Sequence, residues 1–197
     1  MNRNALLLFV AASMLCTACP RRGGTGDDDD TAGNFDFRGL DTDDDGELTS
    51  GDVSTGAALP FTVPGAEGDE EILVDASSAN IYPSETGNWS LNGGFTAGDV
   101  YWWYGISFEN SGSMLEPGVG NIVSFEMGEK TSFGRMFRSN SPGGSVEVES
   151  VEDFRAFGHV SGEPEADGLD PETGEPDGTT VTLHGLAFAD VSTGVDG

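Results

Sequence analysis

The chain has 197 residues, with 35 acidic against 8 basic side chains and a formal charge of −27 at pH 7. Such a field repels polyanions and argues against nucleic acid or an anionic membrane surface as partner, while favouring cations and solubility. With 36% hydrophobic residues the chain can build one core of ordinary size, and its 30 glycines oppose long helices.

Taken from the N-terminus, residues 1–4 carry one positive charge, Arg3, and residues 5–15 form an apolar run. The run is too short to span a bilayer, which takes about 20 helical residues, and it reads as an export signal. It ends in "LCTAC", where the small pair Thr17 and Ala18 directly precedes Cys19. This resembles the lipobox of bacterial lipoproteins, with Cys16 standing where that family usually has leucine. The resemblance implies a signal peptide over residues 1–18, lipidation of Cys19, and a membrane anchor in the cell envelope, at the outer membrane. The C-x-x-C spacing of Cys16 and Cys19 lacks the βαβ setting of a redox pair. Residues 20–34, "PRRGGTGDDDDTAGN", hold one apolar side chain, Ala32. Together with Cys19 they read as a disordered acidic tether over residues 19–34.

Within residues 35–56 lies "DTDDDGELTSGD", residues 41–52. Asp41, Asp43 and Asp45 occupy positions 1, 3 and 5 of this twelve-residue stretch, Gly46 position 6 and Asp52 position 12. Ca²⁺ takes six to eight hard oxygens at about 2.3–2.6 Å, and alternate residues of a tight loop turn their oxygens inward to supply them. The pattern resembles an EF-hand loop, of the dockerin type with Asp at position 12. The resemblance implies a metal site for Ca²⁺ formed by Asp41, Asp43, Asp45, Glu47 through its carbonyl, Thr49 through its hydroxyl or a held water, and Asp52. "TSGD" is also a capping pattern, with Thr49 as N-cap and Asp52 at N3, so an exit turn of helix of up to a turn and a half is expected before Gly56.

From residue 57 to residue 197 the pattern becomes short apolar segments of period 2 separated by turn signals. Strands are expected over 59–63, 71–76, 88–95, 100–109, 121–127, 132–137, 145–150, 154–161 and 179–190, with the acidic stretch 163–177 as a hairpin connection. Their number and spacing predict a mainly β domain, an antiparallel β-sandwich or barrel. In "GSVEVESV", Val146 and Val148 fall on one face and Glu147 and Glu149 on the other. In "TTVTLHGLAFADV", unbroken alternation places Val181, Leu183, Gly185 and Ala187 together, opposite Thr182, His184, Leu186 and Phe188.

The densest aromatic stretch is "DVYWWYGISF". Alternation makes Trp102, Tyr104, Ile106 and Phe108 a core stripe and leaves Tyr101 and Trp103 on the opposite face, where they could stack on sugar rings. His159 and His184, the two histidines, read as structural or surface residues that strand pairing could bring together. No H-E-x-x-H, G-x-S-x-G, P-loop or strand-associated G-x-G-x-x-G motif occurs, so no catalytic role is expected. The expected function is a cell-envelope lipoprotein with a calcium loop and a binding or structural β domain. The alternative is a surface carbohydrate-binding or adhesive module centred on Trp102 to Tyr104, with a polysaccharide or an envelope protein as partner.

Overall fold

The computed structural model describes residues 39–43, 47–65, 68–84, 87–110, 112–131 and 134–194. The expected signal peptide, Cys19, the tether and Asp45 lie outside the described residues. The described residues belong to one compact unit.

The described chain is mainly β. A single 3-10 turn, Ser50–Asp52, precedes eleven strand segments: β1 (Gly56–Gly65), β2 (Gly68–Pro83), β3 (Trp89–Ala97), β4 (Val100–Phe108), β5 (Gly118–Glu129), β6 (Met136–Ser139), β7 (Ser145–Glu152), β8 (Arg155–Ser161), β9 (Glu165–Leu169), β10 (Pro176–Leu183) and β11 (Leu186–Thr193). Strands β1 to β5 pair in sequence, each antiparallel to the next. One half of β5 then pairs with β6 and the other half with β7. On their far side β6 pairs with β9 and β7 with β8. In turn β9 pairs with β10 and β8 with β11.

The segment pairs β6–β7, β8–β9 and β10–β11 therefore each act as one long strand interrupted by a bend. The last of them returns to β1, with Phe61 opposite Leu183 and Ala57 opposite Phe188. Counted this way, the fold is an up-and-down ring of eight strands whose last member pairs with its first. Its one parallel contact, Ser192 with Asn80 and Thr193 with Ile81, lies where β11 runs past the start of β1.

An eight-stranded ring leaves an interior that side chains can fill, and here they do. Trp89, Leu91, Trp102, Tyr104, Ile106, Phe108, Phe125, Phe137 and Phe188 are all buried in one cluster. At one end of the ring Trp102 meets Phe61 edge-on at 5.7 Å and stacks on Phe95 at 6.5 Å. The Arg135 guanidinium lies over the same indole at 5.3 Å, pairs with Glu129 at 2.6 Å and donates to the Pro64 carbonyl. Arg135 thus ties β1 to the β5–β6 connection above the aromatic cluster.

Five expectations need correction, the first being the strand expected over 132–137: residues 134–135 are not strand and β6 is Met136–Ser139. Residues 163–177 are not simply a connection: β9 and the start of β10 fall there, with Ala166 and Gly168 buried and Glu165 and Asp167 exposed. Strand β2 runs on to Pro83, well beyond residue 76, because its second half pairs with β3. Phe154 is not a strand residue. With Asp153 it forms a two-residue hairpin turn in which both have positive φ, 64° and 48°, as a type I′ turn requires. The stretch 179–190 is broken at His184 and Gly185. The break shifts the alternation by one residue, so Leu186 and Phe188 join Val181 and Leu183 in the core while Ala187 and Ala189 face outward.

Candidate functional site

The segment 47–55 is bound to the outer wall of the ring. Leu48 and Val53, only 5% and 6% exposed, pack on Ala58, Ala187 and Ala189, with Leu40 and Phe157 at the margin. The three alanines are outward residues of β1 and β11, and their small side chains leave a shallow seat for larger ones. Burying each of the two aliphatic side chains contributes about 1.5–3 kcal/mol relative to leaving it in water. The bend at His184 and Gly185 is what turns Ala187 and Ala189 outward, so the seat depends on the break in the β10–β11 strand.

A polar clamp fixes the same segment. Ser50 donates its backbone N–H (3.4 Å) and its hydroxyl to Glu149 of β7, and His159 Nδ1 of β8 lies 2.8 Å from the same carboxylate. Burial pushes the Glu149 carboxyl up, but the Ser50 hydroxyl and His159 outweigh it, and its pKa falls below the ordinary 4.5. A carboxylate with a lowered folded pKa contributes stability above its unfolded pKa and loses it as the pH falls through the folded value. The clamp should accordingly hold at neutral pH and release in acid below about pH 4.5. The expected result is that NMR contacts between the Leu48 and Val53 methyls and Ala187 persist at pH 7 and fade on acidification, whereas Glu149→Ala weakens them at both pH values.

Asp52 organises the loop internally. Its Oδ1 accepts from the Thr42 N–H at 2.6 Å and the Thr42 hydroxyl at 2.8 Å; its Oδ2 accepts from the Thr49 N–H at 2.9 Å and the Thr49 hydroxyl at 3.2 Å. The Thr49 hydroxyl accepts from the Gly51 N–H and also from the Asp52 N–H, and the latter bond, returned by the Asp52 carboxylate to the Thr49 N–H, completes a capping box. Burial raises the Asp52 pKa, yet the bonds from Thr42 and Thr49 prevail and hold it below 3.8. The exit element is shorter than expected, one 3-10 turn, because Val53 is already extended.

The carboxylates of Asp41, Asp43 and Asp52 each offer an oxygen, and these three oxygens lie within 4.8 Å of one another. Two ligands on opposite sides of one Ca²⁺ are separated by about 4.6–5.2 Å, twice the usual Ca–O distance. These three residues therefore fit a hard divalent cation in spacing and in donor chemistry. Both Asp52 oxygens already accept two hydrogen bonds each, so this residue fits a bracing or single-oxygen role better than the bidentate role of position 12. Thr49 likewise uses its hydroxyl in the cap. Glu47 is exposed and borders an open cleft of about 240 Å³ that His159 and His184 also line. Each histidine has carboxylate or hydroxyl partners there: His184 has Glu163 at 2.8 Å and Thr62 at 2.7 Å, and His159 has Glu149.

Sequence reading missed Thr42, Ser50 and Glu149. Thr42 stands between two aspartates that drew attention away from it, and the Ser50–Glu149 contact joins positions 99 residues apart.

The aromatic strand β4 occupies another part of the ring. Trp102, Tyr104, Ile106 and Phe108 are buried inside, while Tyr101 is 42% exposed and Trp103 half-buried on the outer wall. No protein-family model matches the chain, and no curated protein or solved structure matches it.

Proposed function

We propose that the chain is an exported cell-envelope lipoprotein, anchored through Cys19, whose loop at residues 41–52 binds one Ca²⁺ and secures the junction between the tether and the β ring. The anchor in this reading rests on the sequence "LCTAC" ahead of the tether, and its calcium site on the cluster of Asp41, Asp43 and Asp52 oxygens within 4.8 Å, set in a segment that is itself fastened to the ring wall by Leu48, Val53 and Ser50. Asp41 and Asp43 would hold the ion together with Asp45, and Asp52 would brace the loop and contribute at most one oxygen. A bound cation offsets the repulsion among three clustered carboxylates, and its affinity belongs in the weak extracellular range, Kd on the order of 10⁻⁴–10⁻³ M. The ring's filled interior directs any further binding role to its outer surface.

Isothermal calorimetry at physiological salt tests the proposal. Wild-type chain should give a saturable heat with Ca²⁺, and the Asp41→Ala, Asp45→Ala double variant should lose it while keeping the β signature in circular dichroism. Equal heats from the two proteins would sink the calcium reading.

A further inference from the structure

On the outer wall, Trp103 is bordered by glycine on three of its four sides. Gly94 of β3 and Gly128 of β5 stand directly opposite it in the two flanking strands. Gly105, two residues along β4, lies next to it on the same face. The fourth neighbour is Tyr101. Glycine at these places has a direct steric effect. A Cβ at Gly128 would stand 3.0–3.1 Å from three atoms of the indole, and one at Gly94 would collide with the Tyr101 phenol. Both rings lie against glycine backbone instead of standing away from the sheet. The space over Gly128 is taken by the indole itself, that over Gly94 by the Tyr101 phenol and that over Gly105 by the Asn92 amide.

Polar groups begin one row further along. Across Gly105 stand Asn92 of β3 and Glu126 of β5, and Glu126 is paired with Arg138 of β6 at 2.7 Å. Asn92 Oδ1 leans over Gly105, 2.8 Å from the point a Cβ would occupy. On the other side Lys130 sits 5.4 Å from the Tyr101 ring centre. The wall thus combines a flat aromatic surface with an amide, a carboxylate and a guanidinium at one rim and an ammonium at the other.

We propose that this wall of β3, β4 and β5 binds a neutral glycan, with the apolar face of a pyranose ring stacked on Trp103 and its hydroxyls bonded at the rim by the solvent-accessible Glu126–Arg138 pair. Pyranoses need this mixture, a planar apolar contact bordered by donors and acceptors in fixed places. The ligand is neutral because a chain of formal charge −27 repels polyanions, and the Glu126–Arg138 pair at one rim is internally neutralised. Flat rings over glycine also suit a sheet that fills its own glycine gaps with aromatics. That purpose alone does not call for an adjacent row of polar side chains of three different chemistries. The site is independent of the calcium loop.

Native gel electrophoresis of the full chain in non-ionic detergent, in gels cast with soluble xylan, glucomannan, hydroxyethyl cellulose or glycogen, tests the site, with alginate as the anionic control. The wild-type band should be retarded at least twofold in one or more neutral gels and run freely in alginate. Trp103→Ala should restore free mobility and Trp103→Phe should keep part of the retardation, with all three proteins giving the same circular dichroism. If Trp103→Ala does not fold, Tyr101→Ala takes its place and should at least halve the retardation. A wild-type chain that runs freely in every neutral gel overturns the proposal. Retardation that survives intact in the folded alanine variant does the same.

Discussion

Trp102→Ala lowers the free energy of unfolding by about 3–5 kcal/mol, the range for truncating a fully buried tryptophan. The side chain is 2% exposed and sits where three strands converge, with Phe61 of β1 at its edge and Phe95 of β3 stacked beside it. Removing the indole leaves a cavity whose walls belong to hydrogen-bonded strands of a closed ring, so they relax little. The Arg135 guanidinium loses the ring beneath it while remaining tied to Glu129 and Pro64. Against a total stability of about 5–15 kcal/mol, such a loss is a large fraction of the whole. Urea unfolding followed by circular dichroism measures it. With a slope of about 1–3 kcal/mol per molar urea, the midpoint should fall by roughly 1 M or more. The neighbouring Trp103→Ala is the internal comparison, since the same residue type is removed from the outer wall and should cost about 1–2 kcal/mol. Equal losses at the two positions would contradict the assignment of faces along β4.

That assignment shows which parts of this fold were readable from residue order. In "YWWYGISF" burial alternates without interruption from Tyr101 to Phe108, so inside and outside follow directly from period 2 even though four aromatics stand in a row. The same holds for Val146 and Val148 against Glu147 and Glu149. Alternation fails where a long strand bends. At His184 and Gly185 nothing in the composition announces that parity will change, so Ala187 reads as sharing a face with Val181 and Leu183, while in fact it faces outward and forms with Ala189 the seat for Leu48 and Val53.

Strand β9, "EADGL", was invisible for a different reason. It has two apolar side chains, Ala166 and Leu169, amid glycine and carboxylates, and it exists because β6 and β10 supply partners on both sides. Ring closure between β1 and β10–β11 pairs residues about 120 positions apart, as Phe61 and Leu183 do, and local pattern carries no record of it. The acidic loop was legible in part for a converse reason. Its capping box is a contact between residues three apart, Thr49 and Asp52, and local sequence encodes local contacts well. The brace from Thr42 and the clamp to Glu149 are not local and could not be read.

Gly158→Ala should be nearly as costly as the loss of Trp102, by a mechanism of opposite sign: an added methyl instead of a deleted ring. Gly158 lies in β8 between Val148 of β7 and Phe188 of β11, and its inward side is filled by the Phe188 ring. A Cβ there would stand 2.7 Å from Phe188 Cζ and would overlap the Glu147 carbonyl oxygen. The ring can rotate away only into other core side chains, and the carbonyl belongs to the β7–β8 pair, whose register already shifts between Val148 and Ser150. Overpacking of this kind typically costs about 1–3 kcal/mol, and a clash with backbone places this site at the upper end.

A double-mutant cycle with Phe188→Leu separates the two contributions. If the aromatic ring is the main obstacle, Gly158→Ala costs clearly less in the Phe188→Leu background than alone. If the Glu147 carbonyl dominates, the cost is the same in both backgrounds, because trimming residue 188 gives the methyl no room against β7. Wild-type stability in the single Gly158→Ala variant would rule out both and require β7 and β8 to be more widely separated than their pairing allows.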